Sequence, residues 1–181
     1  MGIEVEQHNQ IRIITMAGQA STQSFSMEFL PLIADAINEG LNDQETKAIV
    51  LTGEGRFFSA GADINAFQRS IDEGDAPQLI RTLTGILHPL IVRIRTSSTV
   101  VIAALNGVSA GGGLGLALAC DARIGTPQAR MAASYAGMGL SPDGGTTWLL
   151  PRYVGEQIAR RFFLGNQIWS GQEALEYGAI D

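Results

Sequence analysis

Hydrophobic and polar positions alternate over Ile3-Glu4-Val5-Glu6 and again over Ile11-Arg12-Ile13-Ile14, on either side of the polar turn His8-Asn9-Gln10. A period of two buries one face of each segment, so the pair predicts a β-hairpin. The period then changes. Phe29, Leu30, Ile33, Ala34 and Ile37 recur at helical spacing, which predicts a helix capped by Ser26, running toward Asn38 and stopped by Gly40. Continuous apolar runs at 48–52 and 100–105 predict two buried strands. Between them, a polar stretch at 68–76 reads as a mobile connection. The longest helical pattern follows at 78–95, on Leu79, Ile80, Leu83, Ile86, Leu87, Leu90, Ile91 and Ile94. Pro89 should bend or split it.

Beyond the second strand the pattern predicts a helix at 113–119, short strands at 122–125 and 130–133, and helices at 146–150, 156–164 and 170–177. Ser170 and Glu173 form a capping box for the last. Strands alternating with helices place the chain in the α/β class. Its 181 residues suit one domain, 1–181, with a sizeable core and neither linker nor sequence repeat.

The uncharged run at 96–120 is long enough to span a bilayer. Asn106, Ser109 and a triple glycine interrupt it, so a buried strand, a tight loop and a buried helix explain it better. A net charge of -6 argues against a nucleic-acid or anionic-membrane partner. One cysteine, Cys120, excludes an internal disulfide, and with only His8 and His88 no metal site is expected. Residues 1–12 carry no targeting pattern, and a cytoplasmic location is expected.

Candidate chemistry sits after the two buried strands. Gly55-Arg56-Phe57-Phe58-Ser59-Ala60-Gly61-Ala62-Asp63-Ile64 follows the first, and Asn106-Gly107-Val108-Ser109-Ala110-Gly111-Gly112-Gly113 follows the second. Glycine and other small residues let a backbone approach a ligand closely. Two such loops could aim two backbone N–H groups at one oxygen, as an oxyanion hole does. Taken singly, each loop reads more readily as a tight turn; the loops together in this order reverse that preference.

These loops, together with Ala119-Cys120-Asp121-Ala122-Arg123 and Gly139-Leu140-Ser141-Pro142-Asp143-Gly144-Gly145, resemble the crotonase superfamily, the enoyl-CoA hydratase/isomerase family. The resemblance runs from the first hairpin to the last residue. It implies a spiral of ββα units with two roughly perpendicular sheets. It also implies acyl-CoA thioester substrates, no metal or redox cofactor, and a homotrimer or a hexamer of paired trimers. By position, the oxyanion N–H groups are those of Ala62 and Gly112, and the backbone of Ala60, Asp63 and Ile64 lines the adenine end of CoA. The Asp63 side chain is expected to cap a helix starting at Ile64. Family members usually continue beyond the point matching Asp181, with helices that cover the site and build the trimer, so that helical region is expected to be missing from this chain.

Departures from the family pattern bear on the reaction. Hydratases of the family hold a water with two glutamates, whose positions here are Gly115 and Tyr135. Asp143 remains. A carboxylate at this place resembles the one in family members that isomerise double bonds, including the isomerases of phenylacetate breakdown, and Thr147-Trp148-Leu149-Leu150-Pro151-Arg152 extends the likeness. One carboxylate suffices to move a proton two carbons along, and apolar neighbours that raise its pKa would help it. Tyr135, Met138, Leu140 and Trp148 are candidates for that lining. Phe67, Leu83 and Met138 either shape the acyl pocket or serve as ordinary core. The lysine usual after the Ala-Asp-Ile motif is Asn65, so Arg56 or Arg69 is expected to meet the CoA phosphates. The resulting reading is an enoyl-CoA isomerase, with a hydratase-like lyase or a catalytically silent acyl-CoA binder as alternatives. Apart from the family, Asp143 is also a turn residue or a cap for the helix at Thr146.

Two other motifs fail. Gly107-Val108-Ser109-Ala110-Gly111 fits a nucleophile elbow, but no histidine follows Ser109 to complete a triad in that order. His88 precedes it and reads as a satisfied or surface histidine. The cluster at 111–115 lacks the third glycine of a dinucleotide fingerprint, with Leu116 in its place.

Overall fold

The structure is a computed structural model that describes residues 2–181. The hairpin forms as β1 (Ile3–His8) and β2 (Ile11–Met16), paired antiparallel from Ile3 opposite Met16 to His8 opposite Ile11. A short helix, α1 (Gln19–Thr22), leads to α2 (Phe29–Asn42). The chain then repeats one pattern three times: a strand in a first sheet, a strand in a second sheet, then helix. The first repeat is β3 (Ala48–Gly53), β4 (Phe57–Ser59), α3 (Ile64–Glu73) and α4 (Ala76–Thr96). The second is β5 (Val100–Leu105), β6 (Val108–Ala110) and α5 (Gly112–Ala119). The third is β7 (Ala122–Gly125), β8 (Arg130–Ala132), a 3₁₀ turn (Ala136–Met138) and α6 (Thr146–Val154). Finally α7 (Glu156–Leu164), β9 (Ile168–Ser170) and α8 (Gly171–Glu176) follow.

The first sheet has the order β1-β2-β3-β5-β7 and the second β4-β6-β8-β9. Within each, the successive strands of the repeat are parallel, and only the β1–β2 and β8–β9 pairs are antiparallel. This is the ββα spiral in two sheets that the resemblance implied. The run at 96–120 resolves into the end of α4, β5, β6 and α5, and no helix among the described residues is long and apolar enough to cross a membrane. The core packs Ile14, Met16, Leu30, Ile33, Ile37, Ile49, Leu51, Leu105 and the all-apolar α5 between the layers.

Several expectations need correction. Gly40 does not end α2, which runs two residues further. An added Cβ there would lie 2.8 Å from Ile49 Cδ1, so the glycine lets the helix settle on the sheet. Ser26 does act at the start, accepting the Phe29 N–H at 3.1 Å. The polar stretch at 68–76 is not a loop. α3 extends to Glu73, and only Gly74 and Asp75 separate it from α4. Gln68, Arg69, Asp72 and Glu73 are exposed, while Ser70 is buried and donates to the Phe67 carbonyl, on a helix that the Asp63 carboxylate caps through the N–H groups of Asn65 and Ala66. Pro89 does not split α4, which runs unbroken for 21 residues. The short strands β4, β6 and β9 were not separable by sequence from the loops and helix they adjoin.

Two motifs turn out to be scaffold. The Asn106 side chain accepts the Gly53 N–H at 3.0 Å and donates to the carbonyls of Gly55 and Phe57. It thereby fixes the β3–β4 turn against the end of β5. The fully buried Arg123 donates to the carbonyls of Cys120 and Ala179 and to the Asp181 carboxylate at 3.0 Å, with its guanidinium 4.1 Å from the Tyr153 ring centre. Asp121 accepts the Val101 N–H at 2.9 Å.

Candidate active site

The two glycine loops meet because β4 and β6 are neighbours in the second sheet. Gly61 adopts φ 86°, and an added Cβ would lie 2.7 Å from the Ala110 carbonyl oxygen and 3.5 Å from the Gly112 nitrogen. Only glycine permits both that dihedral and that approach. Gly112 opens α5, where the first-turn N–H groups lack intrahelical acceptors and the helix dipole is positive. Phe25 spans both loops. Its N–H donates to the Gly61 carbonyl at 3.0 Å, it bridges Ala62, and its ring lies where a Cβ on Gly112 would touch it at 3.0 Å.

Behind the first loop lies a buried relay of hydroxyls. The Gly61 N–H donates to Ser59 Oγ at 3.3 Å, Ser59 and Ser24 hydroxyls are 2.9 Å apart, and Ser24 donates to the Ala20 carbonyl at 2.6 Å. The Ala60 N–H adds a bond to the Ser21 carbonyl at 2.8 Å. The loop is thus bolted to α1.

In front of the loops is a cavity of about 670 Å³, walled by Phe25, Ala60, Ala62, Ile64, Phe67, residues of α4 including Leu83 and Leu87, the loop 110–112, and the segment 134–143 with Asn166. Its surface is mostly apolar, and Asp143 is the one carboxylate among the lining residues. Burial pushes the Asp143 pKa above its ordinary value. The Tyr135 hydroxyl, donating to Oδ1 at 3.2 Å, and the charge of His88 oppose that rise without cancelling it. Tyr135 itself is held neutral by burial and by the neighbouring carboxylate, so it is a donor to Asp143 and not a base.

Of the residues singled out in the sequence, Ala60, Ala62, Ile64, Phe67, Leu83, Gly112, Tyr135, Met138, Leu140 and Asp143 line this one cavity. Asp63 is not among the lining residues, and its side chain caps α3 as expected. Arg56 and Arg69 are exposed and lie outside the lining. Trp148 also lies outside: it is 61% exposed, with the Arg152 guanidinium stacked on its ring. The helix periodicity of α6 puts it on the outer face, a placement the motif alone did not reveal. Asp143 is not a side-chain cap either; its backbone carbonyl accepts from Thr146, while its carboxylate faces Tyr135. The sequence offered no signal for the Tyr135–Asp143 bond, which depends on which way two side chains of one loop turn, or for Phe25, which bridges segments remote in sequence.

The Gly115 position is closed. A Cβ there would lie well inside 3.0 Å of the Gly144 carbonyl oxygen. The family model for enoyl-CoA hydratase/isomerase matches residues 6–181. The chain belongs to the enoyl-CoA hydratase/isomerase family. It is 33% identical over 176 residues to a probable enoyl-CoA hydratase of Mycobacterium tuberculosis, covering 97% of this chain and 66% of that protein. It is 36% identical over 172 residues to the 1,2-epoxyphenylacetyl-CoA isomerase of Escherichia coli, covering 94% of this chain and 64% of that one. The crystal structure of an enoyl-CoA hydratase from Bacillus halodurans superposes with a TM-score of 0.90 at 27% identity, over 99% of this chain and 72% of its own. The chain therefore spans just under two thirds of the length of these two sequence relatives. Family membership fixes the crotonase-like fold, and the relatives' names span more than one reaction.

Proposed function

We propose that this family member isomerises the double bond of an enoyl-CoA, with Asp143 as the proton carrier and the N–H groups of Ala62 and Gly112 as the oxyanion hole. The observation that carries the reading is a single carboxylate of raised pKa in an apolar cavity that both glycine loops also line. The Asp143 carboxylate takes a proton from the carbon between the thioester and a 3,4 double bond. The electron pair moves into the thioester, giving a dienolate whose oxygen is held by the two N–H donors. The protonated Asp143 then returns the proton to the fourth carbon, and the product is the conjugated 2-enoyl-CoA. Charge on the enolate oxygen exists only along the reaction path, so preorganised donors there lower the barrier; loss of one such donor typically costs about a hundredfold or more.

The closed Gly115 position supports isomerisation over hydration, because the usual first glutamate would have to displace the Gly144 backbone. The proposed steps use backbone dipoles and one carboxylate and need no cofactor. A panel of 3-enoyl-CoA thioesters tests the reading by ultraviolet absorbance. Growth of the conjugated-thioester band supports it. A flat trace with measured acyl-CoA binding would replace it with a catalytically silent binder.

A further inference from the structure

Six polar side chains line the cavity: Thr84, Ser134, Tyr135, Ser141, Asp143 and Asn166. Thr84 bonds the Ile80 carbonyl, and Tyr135 bonds Asp143. Like the exposed Ser141, the half-buried Ser134 and the exposed Asn166 have no side-chain hydrogen-bond partner within the protein among the described residues.

Their backbone is unusual as well. Ser134 has φ 54° and Asn166 φ 44°, two of the three non-glycine residues with positive φ among those described. Asparagine tolerates this region at a helix end, but serine seldom adopts it. The fold imposes the pairing. β8 and β9 run antiparallel with Ala132 opposite Ile168, and the Ala133 N–H extends the ladder to the Gln167 carbonyl at 3.0 Å. The next step of that register sets Ser134 across from Asn166. The Asn166 amide also packs over Gly137, where a Cβ would fall 2.8 Å from Nδ2.

We infer that Ser134 and Asn166 form a hydrogen-bonding subsite for a neutral oxygen function on the acyl chain, a hydroxyl, keto or ether group. The inference rests on the acyl-CoA reading of the cavity. A hydroxyl and a carboxamide each donate and accept, which suits an uncharged oxygen. A carboxylate on the acyl chain does not fit, because no Lys, Arg or His lines the cavity and Asp143 would repel it.

The test uses saturated acyl-CoAs, so that binding is read apart from turnover. Straight-chain acyl-CoAs of four to eight carbons are titrated against the same chains carrying a terminal hydroxyl, with the wild type, Ser134→Gly and Asn166→Gly. Glycine keeps the left-handed backbone while deleting the polar group. At least one hydroxylated chain should bind the wild type about five- to tenfold more tightly than its parent, as one satisfied hydrogen bond allows. The variants should bind the parent unchanged and lose that preference. No preference at any length, a preference that survives both substitutions, or no acyl-CoA binding at all would each overturn the inference. A preference that is found but accompanied by a silent 3-enoyl-CoA assay would leave the subsite standing and remove only the isomerase reading.

Discussion

Gly115 and Gly144 are in backbone contact: the Cα of the first, on α5, faces the carbonyl oxygen of the second, so closely that a Cβ would lie inside 3.0 Å. Gly144 directly follows Asp143. Any side chain at 115 must therefore move the loop that aims the proposed base. In this loop conformation the hydratase glutamate at 115 and a base at 143 exclude one another.

Gly115→Glu should accordingly lose isomerase activity without gaining hydratase activity, and should lower stability by about 1–3 kcal/mol, as overpacking does. Denaturant unfolding and product analysis with a 2-enoyl-CoA check both parts. Hydration by this variant would show that the loop yields and that the exclusion is not real.

The Tyr135 hydroxyl lowers the Asp143 pKa, while burial raises it more. The acid limb of kcat/KM should then lie above the ordinary aspartate value of 3.8. In Tyr135→Phe that limb should move to still higher pH, because a donor to the ionised form has gone. A pH–rate profile that shifts the other way, or not at all, would contradict the assigned bond.

Ser59 and Ser24 are fully buried, and the relay through them ends on the Gly61 N–H. Ser59→Ala leaves that N–H without its acceptor. The expected loss of stability is about 1–3 kcal/mol, with kcat falling more than KM rises because the displaced loop carries the proposed Ala62 donor. Steady-state kinetics beside a melting curve separate the two effects.

Arg123 holds three partners while wholly buried, and its loss strands two backbone carbonyls. Arg123→Met should cost about 3 kcal/mol or more. It should change stability far more than the KM of the surviving folded protein.

Much of the fold was legible because its period changes are sharp. The hairpin, the two buried strands and the long α4 pattern each have enough residues to show a period. β4, β6 and β9 have three residues each, too few for any period, and they looked like parts of the loops and helix beside them. Gly40 and Pro89 misled as punctuation, since tertiary packing overrode both. Within the site, the glycine loops and Asp143 were visible as motifs. Phe25, the serine relay and the Tyr135 bond were not, because each joins segments remote in sequence or depends on which way a side chain turns.

The most direct test of the central claim compares wild type and Asp143→Asn on a 3-enoyl-CoA, with acyl-CoA affinity measured alongside. The raised Asp143 pKa means that the folded state holds this proton more firmly than the unfolded chain, so ionisation costs stability as pH rises through that window. The asparagine variant should therefore be at least as stable at neutral pH and bind acyl-CoA as well. It should form no conjugated product where the wild type does. Retained isomerisation in a folded Asp143→Asn protein would contradict the account.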